Sequence, residues 1–266
     1  EKAADTFADD QHKDLKADYI MANPPFNQKD WRAENELKDD PRWRGYDVPP
    51  KSNANYGWIL NMVSKLSDNG VAGFILANGA LSGGGEEYKI RRKLIENNLV
   101  EAILVLPQDM FYTTNISVTV WILNKNKKAH SRSIGDEQRH YRNREKEILF
   151  MDLRQIGEPF EKKFIQFSEQ HIKDIGKTYH TWQQEKNRYK DIPEYCYSAS
   201  FDEVAKKDFS LVPSKYIELV NRDENIDFDE KMQTLKGEFA DLIKAEATSK
   251  NDLLTVFKEL GYEINL

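Results

Sequence analysis

The chain has 266 residues, 39% of them hydrophobic and 32% charged, which allows one large packed domain or a domain with an appendage. A formal net charge of −6 excludes a nucleic-acid binder that works through its overall field, so local patches or a partner would have to supply positive potential. The single cysteine, Cys196, excludes an internal disulfide and fits a reducing cytoplasm; no run reaches the length of a membrane span, no signal-peptide pattern occurs, and the five histidines show no metal-ligand spacing, so no metal site is expected.

Residues 1–16 are polar, and the first strong signal is Ala17-Asp18-Tyr19-Ile20-Met21, a short β-type run that ends at Ala22-Asn23-Pro24-Pro25-Phe26. Two prolines fix φ and remove two donors, so the strand stops there and a rigid turn follows. In an open α/β sheet such a turn sits beyond the carboxyl end of a strand, where ligands bind. The turn suits methyl transfer to an amino group whose lone pair is delocalised. Asn23 offers a side-chain carbonyl and Pro24 a fixed backbone carbonyl, two acceptors aimed at the N–H bonds. Phe26 offers a face on which a flipped-out base can stack. The alternative is that Asn-Pro-Pro is only a strand-ending turn.

Residues 27–52 lack apolar periodicity and carry Trp31, Trp43 and Tyr46 among many charges; a connection this long is either a segment that closes over substrate or disordered. The spacing of Tyr56, Ile59, Leu60 and Val63 predicts a helix over 53–67, stopped by Asp68-Asn69-Gly70. Val71–Ala77 reads as a buried strand. The Asn78–Gly85 loop reads as a flexible rim of the site rather than a phosphate loop, because Glu86 and Glu87 stand where an anion would bind. A helix to about Asn97 follows, then strands at Ala102–Leu106 and Ile116–Leu123. Their short connection, 108–115, suits antiparallel neighbours. Residues 125–147 hold eight Lys/Arg and four Asp/Glu, so this +4 window reads as a solvated loop or a phosphate-contacting one. Ile148–Met151 reads as the last strand. From Ser168 onward the pattern is helical. Phe228, Met232, Leu235, Phe239 and Leu242 form a short heptad-like seam for a partner helix or for the chain itself, and Leu253, Leu254, Phe257 and Leu260 mark a final short helix.

Taken in order, these stretches resemble the modification (methyltransferase) subunit of type I restriction–modification systems. The resemblance runs through LKADYIMANPPFNQKDW, NANYGWILNMVSKLSDNGVAGFILANGALS and IRRKLIENNLVEAILVLPQDMFYTTNISVTVWILNKNK, with weaker likeness at TYHTW and SLVPSKYI. It implies an α/β fold: the later half of a Rossmann-like S-adenosylmethionine-dependent methyltransferase sheet, mixed, with the last strand antiparallel. Residues 1–165 would be the C-terminal part of the catalytic domain, and 166–266 a helical, partner-docking region. It implies adenine-specific DNA methylation in the cytoplasm. The partners it implies are double-stranded DNA, a specificity subunit, a restriction subunit and a second methyltransferase subunit. Asn23, Pro24 and Phe26 would be catalytic and would hold the flipped adenine. Asp5, Asn23 and Asn55 would lie on the S-adenosylmethionine side, although Asn55 stands where the family usually has aspartate and Ala4 where it has glycine before Asp5-Thr6. The family's glycine-rich donor loop has no match before Asn23. The expectation is therefore a C-terminal portion of such a subunit, inactive alone. The alternatives are a non-catalytic DNA- or partner-binding fragment, or methylation of glutamine or guanine amino groups by a related motif.

Overall fold

The computed structural model describes residues 4–34, 36–112, 116–161, 163–184, 188–220 and 227–262. Contacts divide the chain into two units, 1–219 and 220–266.

In the first unit, β1 (Ala17–Ala22) leads through a long connection to α1 (Asn55–Lys65), β2 (Leu66–Ala77), α2 (Gly85–Glu96), β3 (Val100–Val105) and β4 (Val118–Asn124). A hairpin of β5 (His130–Ile134) and β6 (Glu137–Tyr141) precedes β7 (Glu147–Asp152). Two short strands, β8 (Glu158–Phe160) and β9 (Phe164–Gln166), pair with each other before α3 (Glu169–Gln184), β10 (Cys196–Ser200) and α4 (Phe201–Lys206). The main sheet has the order β1-β2-β4-β3-β7-β10. β1 is parallel to β2 and β3 to β7, while β4 is antiparallel to both β2 and β3. β1, β2, β3 and β7 therefore run the same way, and their carboxyl ends, Ala22, Ala77, Val105 and Asp152, share one edge. The antiparallel neighbour expected from the short 108–115 connection is β4; residues 113–115 lie outside the described residues.

Alternation places the two cores. On β2, Ala72, Phe74 and Leu76 are buried against α1 and α2, where Tyr56, Ile59, Leu60, Ile90 and Leu94 are each 0% exposed. Trp121 of β4 anchors this side, stacking on Phe74 at 6.1 Å and meeting Tyr56 edge-on at 6.3 Å. On the other face Leu104, Val118, Leu149 and Met151 pack with Trp182 of α3. β1 is an edge strand whose Tyr19 and Met21 are 62% and 95% exposed.

Several expectations need correction. Residues 27–52 are folded onto α1: Trp31 and Trp43 are buried, Phe7 lies 4.4 Å from Trp31, and the Arg42 guanidinium sits 5.0 Å over Trp43. These rings pack without any helical or strand period, so periodicity could not reveal them. β7 is not the last strand. β10 pairs with it antiparallel, inside the stretch read as helical and beyond the boundary expected at 165. Its five residues, CYSAS, are too few and too mixed to stand out. The +4 window is not a loop, and much of its charge is spent internally. Arg144 Nε donates to Glu101 Oε1 at 2.9 Å with both side chains 0% exposed. Arg142 pairs with Glu147 at 2.7 Å, and Lys127 donates to the carbonyls of Val100 and Glu147. Finally, the heptad-like seam from Phe228 to Leu242 and the final short helix expected after it lie on one helix.

That helix is α5 (Phe228–Glu259), 32 residues capped by Asp227, whose side chain accepts from the N–H groups of Asp229 and Glu230. No Pro or paired Gly interrupts 243–252, so nothing stops it. None of its residues is buried; Phe228, Met232, Leu235, Phe239, Leu242, Leu253, Val256 and the following Leu260 keep one heptad register, and all are exposed. Among the described residues no helix is long and apolar enough to cross a membrane.

Candidate active site

The turn after β1 sits on the edge where the four same-direction strands end. Beside it lie the turn Asn78–Leu81 after β2, Pro107 after β3 and the segment Leu153–Gly157 after β7. Asn23 is exposed, and no hydrogen bond engages its side chain among the described residues. Pro24 is buried, which fixes the backbone at the point where its carbonyl is offered. Phe26 is half-buried and packs against the core cluster that Leu104, Val118, Leu149 and Met151 of β3, β4 and β7 help to form. The ring is braced on the protein and retains exposed surface.

The turn is tied to the start of α1 by asparagines. Asn27 has a left-handed backbone, φ +52°, a conformation Asn adopts more readily than most residues. Its N–H donates to Asn55 Oδ1 at 3.0 Å, and Asn55 Nδ2 returns a bond to Asn27 Oδ1 at 2.9 Å. Asn53 Nδ2 adds a donor to Asn27 Oδ1 at 3.3 Å, while Asn53 Oδ1 accepts from the Asn55 N–H at 2.9 Å. The Ala54 N–H donates to the Gln28 carbonyl at 2.9 Å. Asn55 is 1% exposed. The sequence reading singled out Asn55 but missed Asn27; the signal was an asparagine directly after Pro-Pro-Phe, where the chain must reverse.

Asp5 stands elsewhere in this scheme. It is exposed, and its Oδ1 accepts from the N–H groups of Phe7 and Ala8, stabilising its own turn. The structure brings Asn23, Pro24, Phe26 and Asn55 together through Asn27; none of the described hydrogen bonds links Asp5 to them.

The loop after β2 is anchored, contrary to the flexible rim expected. Tyr56 Oη donates to the Ala80 carbonyl at 2.6 Å, Arg91 Nη1 to the Gly83 carbonyl at 2.7 Å, and the Leu211 N–H to the Leu81 carbonyl at 2.9 Å. Two of its glycines have local reasons, one of packing and one of backbone conformation. A Cβ on Gly83 would meet the Glu87 carboxylate, and Gly85 has φ +59°. Burial raises the Glu87 carboxyl above its ordinary range, the nearby Arg91 charge offsetting only part. This edge holds a cavity of about 320 Å³ lined by Asn78, Ser82, Val105, Asp152, Arg154 and Ser214. A larger groove, about 770 Å³, runs between α3 and residues 188–195, beside Gln155–Gly157, and carries His171, Lys177, Arg188 and Lys190. Among the described residues no cluster of His, Cys, Asp or Glu is arranged to hold a metal.

A mixed α/β sheet with an antiparallel strand inserted next to its parallel ones is the arrangement of the S-adenosylmethionine-dependent methyltransferase fold, and the Asn-Pro-Pro-Phe turn lies at its carboxyl edge. The family model described as N-6 DNA Methylase matches residues 1–225, and the chain belongs to that family, among the methylase subunits of type I restriction enzymes. It is 40% identical over 266 residues to the HindI methylase subunit of Haemophilus influenzae, covering 98% of this chain and 55% of that protein. It is 33% identical to the MjaIX methylase subunit of Methanocaldococcus jannaschii, covering 97% and 45%. The chain thus spans about half the length of these curated relatives. Among solved structures, the methyltransferase subunit of a type I restriction–modification system from Streptococcus thermophilus aligns with a TM-score of 0.68 and 28% identity, covering 82% of this chain and 42% of that one. The EcoKI M protein aligns with a TM-score of 0.57 and 19% identity, which bears on the fold alone.

Proposed function

We propose that this chain carries the target-base site of a DNA adenine methyltransferase working as the methylase subunit of a type I restriction–modification system. The observation that carries the reading is the free, exposed Asn23 amide at the carboxyl end of β1, followed by buried Pro24 and the braced ring of Phe26. A flipped adenine stacks on Phe26. The Asn23 side-chain carbonyl and the Pro24 backbone carbonyl accept its amino N–H bonds and draw the lone pair out of conjugation. Transfer would form the new N–C bond from that lone pair as the donor's sulfonium S–C bond breaks, its electron pair staying on sulfur in the departing neutral thioether, and the amino proton would leave to solvent.

S-adenosylmethionine supplies an electrophilic methyl group. Of the three donor-side candidates, Asn23 alone has an unengaged side chain; Asp5 caps its own turn and Asn55 is held by Asn27, so a contact at the donor's edge only, contributing little to its affinity, is proposed at Asn23, with Asn55 acting behind it. The proposed assembly is cytoplasmic, on double-stranded DNA, with a specificity subunit, a restriction subunit and a second methylase subunit. The exposed heptad face of α5 is the proposed docking element, which keeps the partner-docking role assigned to the C-terminal region.

The experiment is methyl transfer from labelled S-adenosylmethionine by the methylase subunit that carries this sequence, assembled with its specificity subunit. DNA, protein and RNA are the acceptors compared, and products are resolved as N6-methyladenine, methylguanine or methylglutamine. Label in N6-methyladenine supports the proposal; label elsewhere overturns it.

A further inference from the structure

We propose that Asn27 and Asn55 form a positioning clamp that sets the angle at which Asn23, Pro24 and Phe26 meet the target base. The inference rests on the function proposed above. Asn55 is a fixed point: it begins α1, is 1% exposed, and is followed by Tyr56, Ile59 and Leu60, each fully buried against the sheet. Asn27 is the movable point, because it leaves the turn in the left-handed region and needs a hold to stay there. The two exchange a reciprocal pair. The Asn27 backbone N–H donates to Asn55 Oδ1 at 3.0 Å, and Asn55 Nδ2 donates to Asn27 Oδ1 at 2.9 Å.

An amide is the side chain that can accept and donate at once here. Asn53 strengthens the lock by donating to the same Asn27 oxygen at 3.3 Å while its own oxygen takes the Asn55 N–H at 2.9 Å. Asn27 directly follows Phe26 in the chain. Releasing the pair therefore lets the Phe26 ring turn about the buried Pro24 and changes its angle to the Asn23–Pro24 acceptors. Base position tolerates little of this, since a misplacement of about 1 Å costs on the order of a hundredfold in rate.

The test compares Asn55→Ala, Asn27→Ala, Asn27→Gly and the Asn27→Ala/Asn55→Ala pair in the assembled methylase. Three measurements are made: turnover against donor KM, fluorescence of 2-aminopurine at the target position, and hydrogen exchange of a peptide covering 22–30. Asn55→Ala should lower turnover about 10–100-fold with donor KM changed less than about threefold. It should also alter the 2-aminopurine signal and speed exchange in 22–30. Asn27→Gly keeps the left-handed backbone but loses the side-chain oxygen, so it should lose turnover like Asn27→Ala. The double variant should be no worse than the worse single, because one pair is removed only once. Asn55→Asp, which keeps the acceptor for the Asn27 N–H, should recover at least about fivefold over Asn55→Ala.

Unchanged exchange in 22–30, or turnover within twofold of the parent in both Asn55→Ala and Asn27→Gly, would overturn the clamp. So would a raised donor KM at constant turnover, which would make Asn55 a donor contact. A parent with a protected turn that leaves adenine unmethylated would refute the function and leave the clamp standing.

Discussion

Replacing Arg144 by methionine should be among the most destabilising single changes in the first unit. Arg144 and Glu101 are each 0% exposed and 2.9 Å apart. Glu101 Oε1 also accepts from Gln183 Nε2 at 3.0 Å, and Arg144 Nη1 donates to the Arg142 carbonyl at 2.6 Å, so the pair ties β3 to the hairpin exit and to α3. Glu101 Oε2 and Arg144 Nη2 are buried without a described partner, so part of the pair's desolvation is uncompensated, and the cost arises from stranding one charge rather than from removing both. Without the guanidinium a carboxylate is left in the core, and breaking a buried pair from one side costs about 3–5 kcal/mol. That is a third or more of the roughly 5–15 kcal/mol by which a folded domain is stable. Adding Glu101→Gln to Arg144→Met removes the stranded charge and should recover about half of the loss. Arg92→Ala serves as the contrast: its pair with Glu96 is as short, 2.7 Å, but lies at the surface and should cost under about 1 kcal/mol. Urea unfolding followed by circular dichroism reads all four proteins. A loss below about 1 kcal/mol for Arg144→Met, or a double variant worse than it, would refute the reasoning.

Three further outcomes follow from the same contacts. Phe26→Ala should weaken binding of the flipped base by about 1–3 kcal/mol, whereas Phe26→Trp should keep most of it; equal behaviour of the two in 2-aminopurine fluorescence would mean that the ring serves packing only. Burial pulls the Lys127 ammonium down to about 8, Glu101 offsetting part of it, so the unfolded chain binds more protons than the folded one above that pH. Stability should therefore rise between about pH 8 and 10, by on the order of 2 kcal/mol, until the buried tyrosines Tyr56 and Tyr179, raised chiefly by burial, reverse the slope above their ordinary range; Lys127→Met should flatten the rise in denaturant titrations. Leu235→Glu with Phe239→Lys on α5 should abolish capture of the specificity subunit while leaving helicity intact, and unchanged capture would remove α5 from the interface.

What the sequence disclosed divides along physical lines. β1, α1, α2, β3 and β4 carry strong periods or continuous apolar runs, and each was legible within about two residues; β2 was legible only from Val71, since it begins at Leu66 and takes in the Asp68-Asn69-Gly70 read as a stop. The antiparallel placement of β4 followed from the shortness of its connection. The 27–52 segment was illegible because Trp31, Trp43 and Phe7 are brought together from distant, aperiodic positions. The charge of 125–147 misled for a related reason: a sequence counts Arg144, Arg142 and Lys127 as positive, but only the fold shows their partners at Glu101, Glu147 and buried carbonyls. β10 was hidden by its brevity and mixed composition. At the proposed site, the turn carrying Asn23, Pro24 and Phe26 was readable because prolines constrain local geometry. Asn27 was not, because its importance lies in a bond across 28 residues to Asn55.

The most direct test of the account is Asn23→Ala in the assembled methylase, measured as single-turnover methyl transfer to adenine together with equilibrium binding of S-adenosylmethionine. Asn23 is exposed and engages no other described side chain, so its loss should not disturb the fold. Removing an acceptor that works mainly in the transition state should lower the transfer rate by about 10²–10³-fold, with donor affinity within a few-fold of the parent. A transfer rate within a few-fold of the parent would contradict the account.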